Sequence, residues 1–253
     1  MKIKDLNKTL TEQLDEVLTT EMRDYIRLVL DNNHKFLVHN NPKDVPLFIR
    51  TRTRGGVDYK TDKMHLPVDV ESIVDQAMVN KFGHPYRTQS LYTTQLGSSS
   101  YGNAYAVIPY GGDISYCYST KIKDLLFNYM EHLKTIESEV YQMVSTKYTD
   151  LLRNYGMVES IILNPHGTMK DKLLSIVNIT GDESLSEMVC DSHHKNLTLL
   201  SESCEVTTSI DKVISSMPVD YEIMIDAPTF LLINKKNVTR RFGKSIEDYL
   251  KRF

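Results

Sequence analysis

The sequence predicts an α+β protein, with a split antiparallel β core, a long N-terminal helix and a helical insertion. Three observations carry that prediction. Residues 3–38 place apolar side chains (Leu10, Leu14, Leu18, Met22, Ile26, Val29 among them) at three- and four-residue steps, the period of a helix with one buried face. Short β-rich runs bounded by Gly, Pro, Asn and Asp recur at 45–51, 90–94, 104–108, 114–118, 221–225 and 230–233. Between the last two pairs of runs, residues 120–155 return to helical spacing through Ile122, Leu125, Leu126, Tyr129, Met130, Leu133 and Ile136.

Composition sets the class. The chain has 253 residues, 41% hydrophobic and 25% charged, enough to bury a substantial core as one domain with helical additions. A formal charge of −3 argues against a generic polyanion binder and leaves room for a local basic patch. Cys117, Cys190 and Cys204 are odd in number and far apart, so no disulfide framework is expected. The amphipathic N-terminus lacks the apolar core of a signal peptide, and no apolar run approaches a membrane span. A cytoplasmic protein with no membrane partner is the expectation.

In order, residues 1–42 form a helical extension that Asn40-Asn41-Pro42 ends, and 43–234 form the core. Val45–Thr51 reads as a strand entering Arg52-Thr53-Arg54-Gly55-Gly56, a turn or close backbone approach. Val68–Phe82 has helical spacing, and Gly83–Arg87 reads as a loop. Ser90–Thr94, Ala104–Ile108 and Ile114–Tyr118 read as strands, with Pro109–Gly112 as a turn. The helical insertion falls at about 120–156. Met157–Leu163 and Leu173–Ile179 fit strand or helix equally, and Ile210–Met217 reads as a helix or turn. Residues 235–253 form a basic tail with Lys235, Lys236, Arg240, Arg241, Lys244, Lys251 and Arg252.

The chain is organised around Pro218–Asn234. Two β-rich runs, Tyr221–Ile225 and Phe230–Ile233, flank a turn at Asp226-Ala227-Pro228-Thr229. Ile223 and Ile225 share one face, while Asp220 and Glu222 project two carboxylates at the strand's start. Side-by-side carboxylates hinder each other's ionisation, so such a pair is either solvated or a site.

Three pieces then stand in order: Phe48-Ile49-Arg50 at a strand end, the hydroxyl strand Ser90-Leu91-Tyr92-Thr93-Thr94, and Asp220-Tyr221-Glu222-Ile223-Met224-Ile225. This order resembles the ADP-ribosyltransferase superfamily, in the branch marked by Arg, then Ser-Thr-Ser, then Glu/Gln-x-Glu. Residues 50–124 look most like ADP-ribosyltransferase-like proteins of tailed phages, through Arg50, Pro67, Arg87, Ser90–Thr94, Tyr101-Gly102, Tyr105, Pro109 and Tyr118-Ser119. The resemblance implies the split β core of that superfamily, with NAD as substrate and a host protein or nucleic acid as acceptor in the host cytoplasm. It implies that Arg50 holds the NAD phosphates or ribose, that Thr93 and Thr94 are the central hydroxyls, and that Glu222 is catalytic. Asp220 takes the position that tunes acceptor choice. It also places Arg50 and Glu222 on adjacent central strands with Thr93 between them.

The chemistry suits these residue types. Arginine presents planar, forked donors to a pyrophosphate. A carboxylate facing the oxocarbenium-like state of the breaking nicotinamide–ribose bond stabilises the transition state more than the ground state. The departures are Thr93-Thr94-Gln95 in place of Ser-Thr-Ser, Asp220 in place of Glu or Gln, and a longer gap before Asp220. Arg87 reads first as a solvated loop charge and second as a phosphate contact. Tyr101 and Tyr105 read as packing residues or as an aromatic for the nicotinamide. Cys190-x-x-His193-His194 with Cys204 matches no standard zinc spacing, and no metal is expected. Two rival readings stand beside the transferase: an NAD glycohydrolase, and a degenerate transferase fold kept as a binding or virion-associated module.

Overall fold

Two helices, α1 (Leu10–Val17) and α2 (Thr20–Asp31), stand where one long helix is expected. Thr19 divides them. Its backbone is extended and its hydroxyl accepts the Met22 N–H at 3.3 Å, so a second helix starts there. Asn33, at φ 55°, turns the chain out of α2. The apolar run Phe36-Leu37-Val38, counted by its spacing as helix, then enters strand β1 (Val38–Asn41).

The computed structural model describes residues 10–41, 48–52, 68–96, 102–147, 155–164 and 168–253. After β1 come β2 (Phe48–Arg52), α3 (Val68–Phe82), α4 (Tyr86–Gln89), β3 (Leu91–Thr93), β4 (Asn103–Tyr110) and β5 (Ser115–Tyr118). Four helices follow: α5 (Leu125–Lys147), α6 (Tyr155–Leu163), α7 (Met169–Thr180) and α8 (Glu183–Glu202). The chain ends in β6 (Glu205–Thr207), α9 (Ile210–Ser216), β7 (Ile223–Asp226), β8 (Thr229–Asn234), α10 (Lys235–Phe242) and α11 (Ile246–Leu250).

The chain is a mixed α and β protein with two small antiparallel sheets, and it divides into two compact units. The first takes 1–59, 90–117 and 207–253, and the second takes 60–89 and 118–206. The helical insertion expected at about 120–156 is therefore part of a larger helical unit. Among the described residues, no helix is long and apolar enough to cross a membrane.

In the first unit, one sheet has the order β1-β4-β8-β2, with each neighbouring pair antiparallel. Ala106, Ile108, Leu231 and Ile233 share one core with Leu14, Met22, Ile26 and Val29 of α1 and α2, Val238 of α10, and Ile246, Tyr249 and Leu250 of α11. Tyr105, Val107, Phe230 and Leu232, which alternate with those strand residues, are also fully buried. Burial on both faces is why Phe230–Ile233 is an unbroken apolar run rather than an alternating one. Each large aliphatic side chain so buried contributes about 1.5–3 kcal/mol of transfer free energy.

Pro109 continues β4, where a turn is expected. The Val107 N–H points toward β1, donating to the Leu37 carbonyl at 2.9 Å, and position 109 has the same parity. The β1 pairing ends at Ala106, so the missing proline N–H removes no ladder bond. Residues 235–253 are likewise no loose tail: Val238, Ile246, Tyr249 and Leu250 anchor α10 and α11 in the core.

The second sheet has the order β3-β7-β5-β6, with β3 and β7 antiparallel. Strands β7 and β8 are consecutive yet belong to different sheets, so the Ala227-Pro228 link carries the chain from one sheet to the other.

In the second unit, Ile136, Val140, Val158, Ile162, Met169, Ile176, Leu185 and Val189 form a core between α5, α6, α7 and α8. The two segments that fitted strand or helix equally are helices α6 and α7. Gly181, at φ 67°, ends α7, and the Asp182 carboxylate accepts the Ser184 and Leu185 N–H groups to start α8. Lys81 donates to the Glu202 and Cys204 carbonyls at 2.6 and 2.9 Å, a cation closing the C-terminal end of α8.

His193 of α8 lies edge-on to Tyr129, with ring centroids 5.6 Å apart, and is 1% exposed. Burial lowers its pKa to about 3, with Lys172, His194 and His132 adding to the effect. A folded-state pKa below the unfolded value means that acid favours the unfolded chain. Stability contributed by neutral His193 is complete above about pH 6.5 and falls toward pH 3, by up to roughly 1.4 kcal/mol per pH unit. We predict that chemical denaturation followed from pH 7 to pH 4 shows this loss, and that His193→Phe flattens it.

Candidate active site

The site is built from the second sheet outward. In the β3–β7 register, Leu91 lies opposite Ile225, Tyr92 opposite Met224 and Thr93 opposite Ile223. Thr93 is 2% exposed, and its hydroxyl donates to the Ile223 carbonyl at 2.9 Å. The pairing ends at Thr93 and Ile223, and Glu222 is the residue immediately before β7. Glu222 is half-buried and Asp220, in the turn after α9, is exposed. The hydroxyl strand β3 is thus the neighbour of β7, the strand that Glu222 precedes.

Thr94 also ties the two sheets together. Its carbonyl accepts the Val38 N–H at 2.7 Å and its own N–H donates to the Val38 carbonyl at 3.0 Å. These bonds connect β1 of the first sheet to the end of β3.

Two residues at this junction make contacts that the sequence pattern does not report. Gln95 stands where the transferase pattern has its last serine, and it is 8% exposed. Its side-chain amide donates to the Ile214 and Met217 carbonyls at 3.3 and 3.0 Å. The backbone N–H groups of Gln95 and Leu96 both donate to the Val219 carbonyl at 3.1 Å. Glutamine spans a distance that serine cannot, so the departure from the pattern has a structural reason. It grips the segment that leads into Asp220 and Glu222.

The second is His39. Its Nδ1 lies 2.8 Å from the Tyr92 carbonyl, which makes Nδ1 the protonated nitrogen. Burial holds its pKa below the ordinary histidine value, so the ring is neutral at pH 7. A lone histidine within Leu-Val-His-Asn-Asn carries no pattern that sequence could report.

The remaining expected residues are less concentrated. Arg50 lies in β2, opposite Leu231 of β8, at the edge of the first sheet. It is not on a strand adjacent to that of Glu222, because β7 pairs with β3 in the other sheet. Only the backbone of Arg50 is among the described atoms. Tyr101, Pro67 and Gly55-Gly56 lie outside the described residues.

Two assignments are corrected. Tyr105 is wholly buried in β4, with its hydroxyl accepting the Asn234 amide at 3.1 Å, so it has no face open to a nicotinamide ring. Arg87 is not a solvated charge. It lies in α4 of the second unit at 4% exposure, and its N–H donates to Asp75 Oδ1 at 2.8 Å. Asp75, on α3, also accepts the Thr88 N–H and hydroxyl, and so caps α4. In the Cys190–Cys204 region His193 packs on Tyr129 and Cys204 is buried. Among the described residues no group of three metal-ligating side chains converges.

The Thr93–Ile223 bond yields a stability prediction. Thr93→Val keeps the shape and removes the bond from the hydroxyl to the Ile223 carbonyl, a cost of about 1 kcal/mol. We expect urea denaturation to show that loss for Thr93→Val and a clearly smaller one for Thr93→Ser.

Comparison with protein-family models, with curated proteins and with solved structures finds no match for this chain.

Proposed function

We propose that this chain is a mono-ADP-ribosyltransferase that uses NAD to modify a host protein or nucleic acid, encoded by a bacteriophage and acting in the host cytoplasm. One observation supports the reading above the others. The hydroxyl strand β3 pairs with β7, the strand that Glu222 precedes, and the Thr93 hydroxyl donates to the Ile223 carbonyl. Two of the three pieces that the transferase pattern needs, the hydroxyls and the glutamate, belong to neighbouring runs of one sheet, while Arg50 belongs to β2 of the other.

On this reading NAD binds with its pyrophosphate at Arg50. The bond between ribose C1′ and the nicotinamide nitrogen breaks, and its electron pair leaves with nicotinamide. Glu222 faces the positive charge that develops on the ribose, and an acceptor nucleophile then bonds to C1′ and releases its proton. Asp220, exposed two residues before Glu222, is placed to meet the acceptor. Thr93 acts as a positioning residue rather than a cofactor contact, since its hydroxyl is engaged by β7.

A second reading draws on the same geometry. Burial of Tyr105 and engagement of Thr93 leave fewer groups for NAD, which favours a degenerate transferase fold serving as a binding or virion-associated module. A glycohydrolase differs only in taking water as acceptor.

NAD labelled separately in nicotinamide and in adenine, incubated with host lysate, distinguishes them. We expect Glu222→Gln to retain NAD binding and lose nicotinamide release by a factor of about 10² or more. Asp220→Ala should lose incorporation more than release. Release without incorporation in the wild type points to the glycohydrolase. Equal release by wild type and Glu222→Gln removes Glu222 from the chemistry.

NAD should also raise the wild-type Tm and shift Arg50→Ala much less. No shift in the wild type at saturating NAD supports the binding module.

A further inference from the structure

Helix α10 stands out electrostatically. Residues 235–253 hold seven basic and two acidic side chains, a net +5, so the rest of the chain carries −8. Lys236, Arg240, Arg241 and Lys244 are exposed and Lys235 is half-buried. None of the five forms an ion pair among the described residues, whereas Lys251 is paired with Asp248 at 2.8 Å.

The arrangement costs the helix stability. Lys235 and Lys236 occupy the first turn of α10, which holds no acidic residue, at the end where the helix dipole is positive. Lys236 and Arg240 are four residues apart, hence on one face about 6 Å apart along the axis, as like charges. Two local preferences are violated together on an exposed face, and an anion lying over the helix relieves both.

We propose that the outer face of α10, continued by Lys244, is a docking face for nucleic acid, gripping its phosphate backbone. This inference does not rest on the transferase reading. A phosphate chain offers charges in a row, and ammonium and guanidinium groups along a helix match it. A membrane surface fits less well. The apolar residues of α10 face inward, with Val238 fully buried and Phe242 stacked on Tyr249 at 4.5 Å, and none is left to insert into lipid. Tyr249 is itself fully buried, so it offers no face for base stacking. Binding should therefore be independent of sequence and strongly dependent on salt.

The test uses the full chain and a fluorescent 20-base-pair duplex, with anisotropy measured from 50 to 200 mM salt. Five engaged cations give a slope of log K against log salt of about −4.5, a weakening of roughly 500-fold across that range. The triple variant Lys236→Gln, Arg240→Gln, Arg241→Gln should show a slope of about −2 and a weakening near tenfold. Lys170→Gln with Lys195→Gln, two exposed lysines of the second unit, should leave the wild-type slope unchanged. Far-ultraviolet circular dichroism establishes that each variant is folded.

Equal slopes for wild type and the folded triple variant would overturn the proposal. So would a wild-type slope shallower than about −2. Binding to phosphatidylserine vesicles without binding to the duplex would overturn it in favour of a membrane. Displacement of the duplex by polyglutamate at equal charge concentration would overturn it in favour of an acidic protein.

Discussion

The pairing between Val38 and Thr94 is the constraint on which the first unit depends. Its two backbone hydrogen bonds, 2.7 and 3.0 Å long, join β1 to the end of β3 and so join the two sheets. Every other element of the candidate site is placed relative to that junction. Thr93 precedes it and fixes β7 through the Ile223 carbonyl. Gln95 follows it and holds the Ile214, Met217 and Val219 carbonyls, which sets the approach to Asp220 and Glu222. A buried carbonyl deprived of its donor is costly, so this run of bonds defines one register rather than several. The link through Ala227-Pro228 then delivers the chain into β8, the partner strand of Arg50.

What the sequence made legible follows from how local each signal is. Val68–Phe82 is helix α3 to the residue, because its apolar spacing and its Gly83 stop are both local. The strands expected at 90–94, 104–108, 114–118, 221–225 and 230–233 lie within a few residues of β3, β4, β5, β7 and β8, since β-branched and aromatic runs bounded by turn residues are a local signal. The break at Thr19 was missed because apolar spacing continues across it; only the capping hydroxyl marks the start of a new helix. Strand β1 was missed for the same reason, as Phe36-Leu37-Val38 extends the helical spacing while its backbone pairs with β4 and Thr94. The helices at 155–202 lacked clear periodicity, yet the Thr180-Gly181-Asp182-Glu183 stretch contains both a C-cap and an N-cap.

The candidate site shows the same division. The resemblance implies Arg50 and Glu222 on adjacent strands with Thr93 between them; β3 does pair with the strand after Glu222, but β2, which carries Arg50, lies in the other sheet. The roles of Gln95 and His39 were not legible, since each acts through carbonyls that are distant in sequence. Burial also decided against two assignments. Arg87 and Tyr105 lie among residues that resemble the transferase pattern, but spacing cannot separate a buried side chain from an exposed one.

The most direct measurement is an NMR titration with NAD, following assigned backbone amides of the perdeuterated chain. The account predicts saturable shifts centred on Thr93, Thr94 and Glu222 in one sheet and on Arg50 in the other. Shifts confined to the second unit, or none at millimolar NAD, would contradict it.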